Sequence, residues 1–275
     1  MTWFERGLSR GTVSLAGLLN GDPLPSDVAS SSLAHVVDNV LGSGFPGLAP
    51  LSITQQRLLL DGYLDEIARA DMPRLSDIRH QPGTLRRLLT SVGRMTGSEL
   101  RHATLAADVA TTAPGIRNET IASYVELLER LFVVELVPAF ATALRSRAKL
   151  RTSPKVHLAD PALAAAALSA DADALIADPN TLGFLFESAV VHDLTVMAEA
   201  QGGHVDHHDP ALRAGDVDRR RGVVRALATR PHPSRAPVPC GPWIHALLPA
   251  ALPVFSCSRH APSCLRLRRM PAPRP

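Results

Sequence analysis

The chain has 275 residues, 45% of them hydrophobic, and a formal net charge of +3, a composition suited to ordinary soluble cores. No window approaches the roughly 18 to 20 uninterrupted apolar residues of a membrane span, and "MTWFERGLSR" lacks the basic start and apolar run of a signal peptide, so a cytoplasmic location is expected. The small net charge hides an asymmetry: residues 219–275 carry eleven Arg with no Asp, Glu or Lys, whereas residues 1–218 carry 18 basic against 26 acidic side chains.

Residues 1–50 run through "FERGLSRGTVSLAGLLNGDPLPSD" and "LAHVVDNVLGSGFPGLAP", short apolar pieces broken by Gly, Pro and Ser. Gly42, Gly44 and Gly47 spell GxGxxG. A phosphate cradle of that type ends a strand and opens a helix, whereas this one runs into Pro46 and Pro50, which predicts a plain turn.

From Ile53 to Ala70, Leu59, Tyr63 and Ile67 recur four apart beside Leu60 and Leu64, the stripe of an amphipathic helix. "GTLRRLLTSVGRMTG" predicts a second helix. "SELRHATLAADVATTAPGIRNETIASYVELLERLFVVELVPAF" then reads as helix, turn, helix and strand, with the turn at Pro114 and Gly115 and Asn118 or Thr120 as cap. This order is the outline of a winged-helix unit, whose second helix would enter a DNA major groove. Its outward side offers Ser123, Glu126 and Glu129 with only Arg130 for balance. Carboxylates repel phosphates, which leaves Arg117 and Asn118 as the candidate DNA-binding residues. Farther on, "KVHLAD" alternates like a short strand, Ala162 to Ala170 predicts a small-residue helix, and Gly183 to Ala200 a longer one. On the last helix Glu187 lies at the margin of the stripe of Val191 and Leu194, where a carboxylate can serve as a metal ligand or base, snorkel to solvent or meet an arginine.

Several chemistries lack their residues. A Walker A loop requires GxxxxGK[ST], and the two lysines, Lys149 and Lys155, do not follow a glycine; nucleotide-binding residues are therefore none. There is no GxSxG elbow. Cys240, Cys257 and Cys264 have no CxxC spacing, and "GGHVDHHDP" places His204, Asp206, His207, His208 and Asp209 on alternate sides of an extended segment, so no metal site is assigned.

"NETIASYVELLERLFVVELVPAF", "SPKVHLADPAL", "LGFLFESAVVHDL" and "GDVD", in that order, resemble the middle and C-terminal parts of bacterial and archaeal AAA-type ATPases carrying the domain of unknown function 4143. "LLLDGYLDEIARAD" and "GFPGL" are similar to the helix and turn before that region. The resemblance covers roughly residues 1–218. It implies an α+β chain, mainly α with short strands: a remnant of an ATPase domain lacking its P-loop over 1–50, a winged-helix-like segment over 51–140, and an incomplete restriction-endonuclease-like domain over 141–218. An Arg/Pro-rich tail, irregular, disordered or read out of frame, would follow over 219–275. Glu187 and Asp218 would be the acidic catalytic positions, with the later Glu-x-Lys missing. Complete relatives would bind ATP and Mg, while this chain would hold no cofactor. The expected protein is thus a truncated, nonfunctional relative of such an ATPase; the alternatives are a winged-helix DNA-binding protein and a protein-interaction module, with DNA or a protein as partner and no membrane.

Overall fold

The computed structural model describes residues 1–23, 31–77, 80–140, 152–208 and 264–269. It is mainly helical, with a small antiparallel sheet. Two compact units are present: Met1, Val36–Val137 and Ser153–His192 form one, and Thr2–His35, Pro138–Thr152 and Asp193–Pro275 the other.

The first unit starts within α2 (Leu33–Leu41), passes a single 3-10 turn at Pro46–Leu48 and enters α3 (Ile53–Glu66). The start of α3 is set locally. Ser52 accepts the Gln55 backbone N–H and Gln55 reaches back to Ser52 in a reciprocal capping box, satisfying donors that a helix start leaves orphaned. The amphipathic stripe is offset from expectation. Leu60 and Leu64 are buried, whereas Leu59 is exposed, because the inward row runs Gln56, Leu60, Leu64 at spacings of four. Beyond Glu66 the helix widens into a π turn, Ile67–Asp71, before α4 (Met72–Leu75). Pro73 near the start of α4 has no N–H to return to residue 69.

Next come α5 (Pro82–Met95), β1 (Ser98–Glu99), α6 (His102–Val109), α7 (Asn118–Arg130), β2 (Val134–Val137) and β3 (Lys155–Leu158). The central strand is β3, antiparallel to both neighbours. The helices close over one face of this sheet: α5 packs on β3 and α6, and α6 on α7. Neither Asn118 nor Thr120 caps α7. Arg117 is the N-cap and makes no side-chain cap bond, so helical geometry already includes both expected caps.

The apolar core gathers Leu85, Leu88, Leu89, Leu105, Ile121 and Leu128, each at most 1% exposed. The alanine-rich α8 (Pro161–Ala167) packs along α3 and α5. Small side chains allow this close approach: a Cβ built on Gly93 of α5 would sit 3.1 Å from Ala167 Cβ and 3.7 Å from Leu158 Cδ1. Then follow α9 (Ala172–Ala177) and α10 (Pro179–Glu199). By length and composition α10 could cross a membrane. In this structure it buries Leu182, Leu185, Phe186, Ala189 and Val191 as a core helix does.

In the second unit α1 (Leu15–Asn20) is capped by Ser14 and ends at Gly21 in the left-handed region. There β4 (Gly203–His208) pairs antiparallel with β5 (Cys264–Arg269). Within the Arg/Pro-rich tail, the described residues Cys264–Arg269, in which Arg alternates with Leu265 and Leu267, supply the second strand. Residues 209–263 and 270–275, including Asp218, Cys240 and Cys257, lie outside the described residues.

Candidate functional site

The two faces of the three-stranded sheet differ in chemistry along β3. Alternation along β3 puts Val156 and Leu158 on one face and Lys155 and His157 on the other. Register places Leu136 opposite Val156 and Val134 opposite Leu158, and it places Glu135 opposite His157 and Glu99 opposite Lys155. Directly paired residues share a face, so Glu99, Glu135, Lys155 and His157 belong to one side, together with the buried Val137, which pairs with Lys155. In that seam α10 supplies Glu187 and Ser188. The Lys155 ammonium donates to Glu187 Oε1 at 2.5 Å, and Ser188 Oγ lies 3.1 Å from His157 Nδ1.

This layer is sheltered from water: the Lys155 and Glu187 side chains are 5% and 12% exposed. Burial raises the Glu187 carboxyl above its ordinary value, and the charge of Lys155 opposes that rise. The expected alternatives for Glu187 were a metal ligand, a solvated acid or an arginine partner, and the structure gives it a lysine. The sequence carried no signal that sets this seam apart. "KVHL" alternates as an ordinary strand with one solvent-facing side does, and only the packing of α10 shows that Lys155 and His157 are buried.

The spacing of Ser188 and His157 is that of a nucleophile and its base. Yet Ser188 is 2% exposed and His157 1%, and a substrate has no approach to either. A buried polar layer of this kind instead fixes which way a helix and sheet pack. Glu187 is therefore one half of a packing contact. Among the described residues, no three His, Cys, Asp or Glu side chains are placed to hold a metal ion.

The remaining expected positions scatter. At the GxGxxG turn an internal anion occupies the donors: Asp160 accepts Ser43 Oγ at 2.6 Å and the Gly44 N–H at 2.9 Å while capping α8 through the Ala162 N–H at 2.9 Å. The amide and hydroxyl that a phosphate would use are thus committed to a carboxylate, and the terminal ammonium of Met1 donates to Gly44 O. Arg117 and Asn118 are exposed at the start of α7. The outward row of α7 consists of Glu119, Ser123, Glu126, Glu129 and Arg130, all exposed. In the second unit, His204 Nε2 is 3.6 Å from Asp206 Oδ1, and His207 is buried. There too, Asp193 accepts the Trp3 N–H at 3.1 Å, and burial pushes its carboxyl up to about 6 against that bond.

The end of α7 is the feature that sequence reading missed. Phe132 adopts φ +57°. Its N–H bonds Glu129 O at 3.0 Å and the Val133 N–H bonds Leu128 O at 2.9 Å, the two bonds of a Schellman stop, in which glycine or asparagine is the usual residue. Here the position holds a phenylalanine that is 85% exposed.

A family model described as a domain of unknown function (DUF8612) matches residues 34–174. The chain belongs to this family. The match overturns the resemblance to AAA-type ATPases carrying the domain of unknown function 4143, because residues 34–174, which hold four of the six strings behind it, are DUF8612. The short strings behind it follow the helix, turn, helix, strand order, which unrelated chains of similar outline share. With that resemblance goes the assignment to that ATPase family; Glu187 and Asp218 lie outside the matched residues, and Asp218 outside the described residues. The DUF8612 region takes in α2 except its first residue and everything from α3 to α8, and so contains the whole sheet and Phe132. No curated protein and no solved structure matches the chain.

Proposed function

We propose that residues 82–158 form a winged-helix unit that serves as a protein-interaction module and not as a reader of DNA. The order α5, β1, α6, α7, β2, β3 with β3 central supports the winged-helix reading. The observation that carries the choice of partner is the outward face of α7, where Glu119, Glu126 and Glu129 stand exposed with Arg130 as the counter-charge. In a winged helix bound to DNA this helix lies in the major groove. Three carboxylates there would meet phosphates without the cations that supply most of the affinity. A protein surface tolerates the same face and gains from it wherever it offers positive charge.

Titration of a labelled duplex with the purified chain, at about 50 and about 200 mM salt, tests the choice. Binding no tighter than ordinary non-specific association, and unchanged by Arg117→Ala, is expected. Tight, steeply salt-dependent binding that Arg117→Ala or removal of residues 219–275 weakens would establish the DNA-binding reading instead.

A further inference from the structure

We infer that Phe132 is the anchor by which this module holds a partner, and that the partner presents a cationic peptide segment with an apolar socket. The inference rests on the protein-interaction reading above and deepens it. The Schellman stop requires a left-handed residue at position 132, a conformation that costs a β-carbon-bearing side chain free energy and that glycine or asparagine adopts more cheaply. Phenylalanine recovers nothing from the fold in exchange, being 85% exposed. Val133 and Leu128, the residues joined by the second bond of the stop, are buried and hold the turn in place. The turn thus presents an exposed aromatic just past the end of α7, whose outward row carries Glu119, Glu126 and Glu129. Aromatic side chains dominate interface hot spots, because they bury a large area with few rotatable bonds. The carboxylates on the outward row of α7 select positive charge on the partner.

The test uses a displayed library of random peptides panned against the full chain. Selected peptides should be rich in Arg or Lys together with an aromatic or aliphatic residue. Their affinity should fall about 30-fold on Phe132→Ala and should fall with salt and on Glu126→Gln with Glu129→Gln. Phe132→Asn separates binding from folding: it should weaken binding as alanine does, while the thermal midpoint holds or rises by up to about 3 °C. Peptides that bind the Phe132→Ala and Phe132→Asn chains as tightly as the wild type, but lose affinity on the glutamate changes, would overturn the anchor and leave the interaction reading standing. Peptides indifferent to all four changes, or none selected, would overturn both. A midpoint lowered by Phe132→Asn would show that the side chain serves the fold, which also overturns the inference.

Discussion

The two faces of the sheet solve the same burial problem in different ways. On the Val156 and Leu158 face, Leu158 meets Gly93 of α5 and the contact is apolar, so its contribution scales with area and with how closely the atoms fit. On the Lys155 and His157 face, α10 is held by an ion pair at 2.5 Å and a hydroxyl to imidazole contact at 3.1 Å. A contact of this kind adds little net stability but strongly penalises a missing partner. The lesson is that the apolar face is most sensitive to lost or added volume, and the polar face to the loss of one partner without the other.

The largest expected effect comes from breaking the polar face on one side only. Glu187→Ala strands the Lys155 ammonium under α10 and should lower unfolding free energy by about 3–5 kcal/mol in denaturant titration. The double replacement Lys155→Met with Glu187→Leu should recover most of that loss; a double variant as unstable as the single one would mean that the pair adds net stability. On the apolar face Leu158→Ala should cost about 3 kcal/mol through lost burial and a residual cavity. No second substitution that restores only polarity should rescue it. Gly93→Ala adds volume between helices, with the new methyl 3.1 Å from Ala167 Cβ, and should cost about 1–2 kcal/mol. Trimming Ala167→Gly in the same chain should return part of it.

The smallest effect is one of pH and belongs to the polar face alone. Burial holds the Glu187 carboxyl above its ordinary value of 4.5, so the folded chain keeps a proton that the unfolded chain releases. The stability this contributes is fully present below pH 4.5 and is lost as pH rises through the raised folded value. Unfolding free energy of the wild type should therefore decline over that window relative to the Lys155→Met, Glu187→Leu double variant. Parallel pH curves for the two chains would show that Glu187 titrates alike folded and unfolded.

Much of the helical order was legible because it depends on short-range chemistry. The stretch from Ile53, the helix in "GTLRRLLTSVGRM" and the pair around Pro114 and Gly115 all announced themselves through periodicity and turn residues. Boundaries shifted where neighbours intervened. Asn118 and Thr120 read as caps in isolation, yet the chain enters α7 one residue earlier, at Arg117. Leu59 read as part of the buried stripe, yet the inward row of α3 is led by Gln56, whose amide bonds the Ser43 N–H and the carbonyls of Leu48 and Leu51. A hydropathy pattern cannot foresee a polar core residue of this kind, because its burial depends on partners elsewhere in the chain.

By itself the sequence determined the helical periodicity, the alternation of β3, the acidic outward row of α7 and the absence of a Walker A lysine. All of these depend on the identity and spacing of residues a few positions apart. The tertiary structure alone decided that Glu187 meets Lys155, that Asp160 occupies the donors of the Gly42 to Gly47 turn, and that β5 pairs with β4. It alone decided that Phe132 stands left-handed and exposed. The first three join groups dozens of residues apart. The last follows from the two hydrogen bonds that close the end of α7, whose geometry no residue preference at position 132 would have chosen.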